Sequence, residues 1–409
     1  MAPPRSEPES TYAWLRLCAA LAAMTIGGSG MYAMAVALAP VQAEFGASRG
    51  DASLPYTLTM IGFGLGGILM GKLADRFGVT TPMTIGALGL GAGFILAGNA
   101  SSLLQFSLAH GILVGLLGCS TTFAPLVADT SLWFNKRRGI AVAICASGNY
   151  AAGAIWPPIL QYLFETVGWR TAYTGMGVFA TASLLLLTLA LRRKPPELEA
   201  SSQTARTFTD TPLGLSPNTL MVILIVAGVG CCVAMSMPQV HIVAYCGDLG
   251  YGAARGAEML SVMLAFGIVS RLVSGWICDR IGGLRTLLLG SFLQGVALLL
   301  FLPFDGLISL YVVSAMFGLF QGGIVPSYAI IVREYFPPRE AGVRTGIVLM
   351  ATLFGMAFGG WISGAIFDFT GSYRAAFING IAFNLLNLTL ATYLLRRSRI
   401  NTLVTRTAG

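Results

Sequence analysis

The chain has 409 residues, 55% of them apolar and only 10% charged, with a mean hydropathy of +0.75. Such a composition excludes an ordinary soluble enzyme and describes an all-α polytopic membrane protein embedded in a lipid bilayer. The net charge of +8 is spread over helix ends, as membrane topology requires, so no nucleic-acid partner is expected.

In chain order, the opening MAPPRSEPES is polar and lacks the basic-then-apolar pattern of a cleaved signal, so the first helix is expected to stay. Apolar runs broken by Gly, Pro and charge then predict twelve spans, each meeting the ~20 residues needed to cross a bilayer. They fall near 14–39, 52–74, 80–98, 102–128, 138–164, 168–192, 217–246, 254–280, 283–303, 306–333, 345–368 and 373–396. The stretch 193–216 is the only long polar interruption and reads as a cytoplasmic linker. It divides the chain into an N-terminal six-helix bundle, 1–192, and a C-terminal one, 217–409. Asn99-Ala100-Ser101, after the third span, matches a glycosylation acceptor, a short match that counts only if the source is eukaryotic.

Cys18, Cys119, Cys145, Cys231, Cys232, Cys246 and Cys278 are scattered and form no CxxC pair, which indicates neither a disulfide framework nor a metal or cofactor site. HExxH, GxSxG and P-loop patterns are also absent from the sequence, which argues against an enzyme.

Most basic residues, among them Arg16, Lys72, Arg76, Lys136, Arg137, Arg138, Arg192, Arg280, Arg285, Arg333, Arg339 and Arg396, map to one side. Arg49, Arg170, Arg255 and Arg374 map to the other. The positive-inside rule then places both termini and the linker in the cytoplasm, with the protein in a plasma or inner membrane. The halves also repeat. GKLADRFG at Gly71–Gly78 is echoed by GWICDRIG at Gly275–Gly282, and Trp169-Arg170 with Tyr173 by Tyr373-Arg374 with Phe377. Repeated parallel halves predict a binding site between them, reached alternately from each side.

Arg271 is the residue the rest must accommodate, because it falls in the middle of the apolar run 257–278, where a charge costs about 2.5–3.5 kcal/mol or more. Gly267, Ser270, Ser274 and Gly275 surround it with small side chains, a face on which a cavity can open. A guanidinium there suits a carboxylate. Tyr32 in the first span, Asn149 and Tyr150 in the fifth, His241 in the seventh, and Gln321, Ser327 and Tyr328 in the tenth are further polar candidates for substrate contacts. Phe123, Phe320 and Phe354 offer an aromatic wall. His241 is also a candidate proton carrier by its ordinary titration range, whereas His110 reads as structural. Asp129 and Glu334 close the fourth and tenth spans and are expected to pair with Arg137, Arg138 or Arg339.

The loop Gly71-Lys72-Leu73-Ala74-Asp75-Arg76-Phe77-Gly78 resembles the signature loop of the major facilitator superfamily, and its echo stands where that superfamily has the second copy. The resemblance covers essentially the whole chain. It implies a twelve-helix transporter that works by alternating access. It also gives Asp75, with Arg76, a role in latching the cytoplasmic side, a role carried more loosely to Asp279 and Arg280. Spans one, five, seven and ten border the central cavity in that family. Arg271 in the eighth span resembles the arginine of the monocarboxylate transporters and oxalate:formate antiporters, which meets the substrate carboxylate. The chain departs from them in three places: Gly267 stands one turn before the arginine where an acid is found, the first span has no lysine, and Thr345–Phe367 holds no second cation. One fixed charge balances one carboxylate, so the implied cargo is a small organic monocarboxylate such as lactate or pyruvate, moved by proton symport or anion exchange, by a monomer. The alternatives are a proton-coupled drug or metabolite exporter of the same fold and a non-transporting membrane sensor.

Overall fold

The computed structural model describes residues 9–193 and 212–407. Most of the expected linker and nearly all of the N-terminal decapeptide lie outside the described residues, as does the Arg339 side chain.

Among the described residues, twelve helices are long and apolar enough to span a membrane. We number them α1 (Thr11–Phe45), α2 (Arg49–Phe77), α3 (Thr80–Gly98), α4 (Leu103–Trp133), α5 (Arg138–Val167), α6 (Trp169–Ala190), α7 (Pro217–Asp248), α8 (Ala253–Ile281), α9 (Gly283–Leu300), α10 (Leu307–Tyr335), α11 (Glu340–Thr370) and α12 (Tyr373–Ser398). Each expected span is present, and several run a few residues past the apolar core because a helix continues until its last backbone groups find a cap. No strand occurs among the described residues.

Three helices are interrupted where the sequence supplies flexible or unusual backbone. The break in α1 falls at Gly28. The Gly27 carbonyl accepts from the Cys119 thiol, and the Trp156 indole donates to the Thr25 carbonyl at 2.7 Å, so these two carbonyls beside the break are satisfied inside an apolar medium. Helix α4 passes through a π-helical stretch, Ala109–Gly118, and a 3-10 turn, Cys119–Thr122, before Pro125 starts its last segment. The π turn accommodates close approach to α2 and α3. A Cβ on Gly115 would sit 2.5 Å from the Thr59 carbonyl oxygen, and one on Gly118 would sit 3.0 Å from the Leu90 Cα. The third break, at Gly322–Gly323 in α10, bears directly on the site.

The contacts group the chain into two units: Met1–Ser201 with Val240–Ala265, and Ser202–Gln239 with Phe266–Gly409. In unit 1 an aromatic cluster of Phe94, Phe106, His110, Trp169 and Tyr173 fills the space between α3, α4 and α6. Arg170 chelates Glu44 at 2.6 and 2.8 Å and donates to the Gly98 carbonyl. Within the same unit, the segment 240–265 is held by an Arg49–Asp248 ion pair at 3.2 Å and by the Ser261 hydroxyl donating to the Ala154 carbonyl. In unit 2, Phe301 stacks on Phe377 at 4.9 Å. A buried polar seam runs from the Tyr328 hydroxyl through Asn387 to Ser291, with Asn384 bonded to the Ser291 carbonyl and Gln294 to the Cys231 carbonyl.

The repeat is visible in the backbone. Gly78 (φ 81°, ψ 165°) and Gly282 (φ 82°, ψ 165°) end α2 and α8 in the same left-handed conformation, which favours glycine. Each donates its N–H to the carbonyl four residues back, Ala74 and Cys278 respectively.

Candidate substrate site

In unit 2, α8 and α10 cross at small residues. A Cβ at Gly322 would lie 2.5 Å from the Gly267 carbonyl oxygen and 2.8 Å from the Ser270 Cβ, and one at Gly323 would overlap the Ser274 side chain. Consecutive glycines let the α10 backbone press into α8 while the helix shifts, and the Ser327 hydroxyl donates to the Gly323 carbonyl at 2.8 Å across the join. The small-residue surface around Arg271 is therefore divided. Gly267, Ser270 and Ser274 are consumed by packing, whereas a Cβ at Gly275, one turn along from Arg271, would meet no atom within 4 Å. Arg271 itself is half-buried on α8.

Next to that crossing, the amide of Gln239 on α7 donates to Gln321 Oε1 at 3.0 Å. Gln321 is wholly buried and Gln239 nearly so. The Gln321 Nε2 and the Ser270 hydroxyl are both buried without a hydrogen-bond partner among the described residues. An unmet buried donor costs roughly 1–3 kcal/mol, so this corner favours an added acceptor. Gln239 was missed in the sequence reading. Its signal was a second amide directly after Pro238, beside the more conspicuous His241.

The other expected contacts separate by environment. Tyr328 is wholly buried, and its hydroxyl donates to Asn387 Oδ1 at 2.8 Å. Its polar end belongs to the interior seam of unit 2, since one phenolic hydrogen can serve only one acceptor. His241 is fully buried in the part of α7 that belongs to unit 1. Tyr32 is buried with its ring packed over Gly153. Asn149 is half-buried on α5 beside the α1 break, where its Oδ1 would lie 3.3 Å from a Cβ on Gly28, and its amide has no hydrogen-bond partner among the described residues. Phe123 packs edge-on to Phe63, and Phe354 is 43% exposed.

The two loop motifs present their charges outward. Asp75, Arg76, Asp279 and Arg280 are all exposed. The Arg76 guanidinium lies over Phe77 and that of Arg280 over Trp276 at 3.6 Å. Neither aspartate makes an ion pair or hydrogen bond among the described residues.

One expected pairing is corrected, and the other involves Arg339. Asp129 does not pair with Arg137 or Arg138. It receives both Nε and Nη2 of Arg16 at 2.9 Å, with the Arg16 guanidinium 4.7 Å from the Trp133 ring. The reason is burial: α1 passes α4 in the interior, whereas Arg138 is exposed and bonds Ser131. Glu334 accepts from the Gly283 backbone N–H at 3.0 Å, where a carboxylate is stabilised by the start of α9; its expected partner Arg339 has a side chain outside the described residues. His110 is enclosed beside Phe106, its Nδ1 3.3 Å from the Thr59 hydroxyl, in keeping with a structural role.

Comparison with known proteins gives a consistent picture. The family model described as Major Facilitator Superfamily matches residues 18–309 and 248–408. The chain is 28% identical to Monocarboxylate transporter 13 of Rattus norvegicus over 81% of this chain and 76% of that one. It is also 28% identical to Monocarboxylate transporter 11 of Homo sapiens over 92% and 81%. Among solved structures, a bacterial homolog of the human lysosomal transporter Spinster superposes with a TM-score of 0.70 at 16% identity, covering 96% of this chain and 98% of that one.

Proposed function

The chain belongs to the Major Facilitator Superfamily, and from that premise we propose that it carries a small organic monocarboxylate of the lactate or pyruvate kind. It is a multi-pass membrane transporter of a small molecule and not an enzyme. The observation that carries the finer reading is Arg271, a half-buried cation in the middle of a membrane-spanning helix with open space over Gly275. A cation at that depth is costly unless an anion or water meets it. The relatives named monocarboxylate transporters support the same class of cargo.

In this reading the carboxylate binds the Arg271 guanidinium by charge-assisted hydrogen bonds. The Gln239–Gln321 pair of unit 2 lies on the neighbouring helices and sets the polarity of that corner. The exposed Asp75, Arg76, Asp279 and Arg280 are assigned to gating, and the basic side of the helices to the cytoplasm. Proton symport and anion exchange both fit this chemistry.

The test is counterflow of labelled lactate, pyruvate, formate, acetate and oxalate in proteoliposomes, with and without a pH gradient. Saturable counterflow of monocarboxylates that is abolished in Arg271→Ala supports the reading. Saturable uptake retained by that variant defeats the site.

A further inference from the structure

Away from this site, unit 1 has a groove of about 920 Å³ between the start of α3 and the end of α6, lined by Thr80, Thr81, Thr84, Thr188, Arg192 and, along one wall, Leu185, Leu186 and Leu189. Its two ends differ in chemistry. Leu186 is 68% exposed and Leu189 49%, so on a helix read as spanning a membrane this wall is offered to acyl chains. At the other end the exposed Arg192 makes no ion pair or hydrogen bond among the described residues. Beside it α3 begins without a side-chain cap on its first N–H groups, and the helix dipole there also favours negative charge. The Thr84 and Thr188 hydroxyls donate back to the Thr80 and Leu184 carbonyls, and these hydroxyl oxygens keep lone pairs for a headgroup hydroxyl.

We propose that this groove binds an anionic phospholipid of the adjoining leaflet, its phosphate on Arg192 and one acyl chain along Leu185, Leu186 and Leu189. A free phosphate ion would leave the apolar wall unused, and a zwitterionic lipid would bring its own cation to Arg192. An anionic diester with tails matches both ends at once.

The test uses the purified full-length protein in detergent, titrated with phosphatidylglycerol, phosphatidylcholine or inorganic phosphate while thermal unfolding is followed. Phosphatidylglycerol raises the unfolding temperature, phosphatidylcholine and phosphate do not, and Arg192→Ala shifts the phosphatidylglycerol midpoint about fivefold upward, the effect of one arginine at an anionic surface. Leu186→Trp, which fills the groove without touching charge, shifts it in the same direction and carries the test should the arginine variant not fold. Equal midpoints in wild type and both variants, equal stabilisation by phosphatidylcholine, or full stabilisation by phosphate alone would each overturn the proposal.

Discussion

Asp129→Ala cuts the buried ion pair that joins α1 to α4. The Arg16 and Asp129 side chains are only 3% and 9% exposed, and two bonds of 2.9 Å connect them. Removing the carboxylate leaves a guanidinium out of water with only the Trp133 ring against it. Breaking one partner of such a buried pair costs about 3–5 kcal/mol. For a cooperative unit of this size, each kcal/mol moves the midpoint by roughly 2–4 °C, so the variant unfolds on the order of 10 °C below wild type. Replacing both partners, as Arg16→Met with Asp129→Leu, removes the uncompensated charge and recovers most of that loss. The assay is thermal unfolding of the monodisperse protein in detergent. A single variant within about 2 °C of wild type, or a double variant as unstable as the single, would refute the reasoning.

Other expectations follow from the same geometry. Glu9 accepts from the Arg137 backbone N–H at 2.7 Å, which holds its carboxyl below the usual carboxylate range. Because the folded state favours the ionised form, this contact is fully present above the unfolded titration point and is lost as pH falls through the lowered folded one. Hydrogen exchange at the Arg137 amide should therefore quicken on acidification beyond the intrinsic pH trend, and Glu9→Gln should abolish that extra dependence. Gly323→Val would overlap Ser274 and lower stability by about 1–3 kcal/mol. Ser274→Gly in the same chain should recover part of the loss in a thermal melt, and no recovery would mean that the crossing is not the cause. Tyr328→Phe leaves Asn387 Oδ1 without its donor and should cost about 1–3 kcal/mol of stability with no change in the KM for a monocarboxylate; a raised KM at unchanged stability would return Tyr328 to the substrate path.

The twelve helices and the doubled loop could be read from residue order because both are local patterns. Apolar run length marks a span, and the Gly-Asp-Arg-Gly echo marks the repeat that ends in matching backbone at Gly78 and Gly282. Arg271 stood out for the same reason, as one charge inside one apolar run. Partners distant in the chain were not legible. Arg16 and Asp129 lie 113 positions apart, and nothing near either residue announces the other. Tyr328 looked like any polar group in a cavity-lining span, yet its hydroxyl is taken by Asn387, 59 residues on. The small residues near Arg271 read in the sequence as a face on which a cavity can open, and only Gly275 leaves open space there. Which of them pack on Gly322 and Gly323, and which stay open, depends on how the helices cross.

The account's central claim concerns one cation, and equilibrium binding tests it most directly. Labelled lactate or pyruvate is titrated into purified wild type, Arg271→Lys and Arg271→Ala, with the neutral amide of the same acid as control. Saturable binding of the acid and not of the amide is expected for wild type, weakened in the lysine variant because the planar fork is lost, and absent in the alanine variant at unchanged unfolding temperature. Binding of the acid by a folded Arg271→Ala protein with wild-type affinity would contradict it.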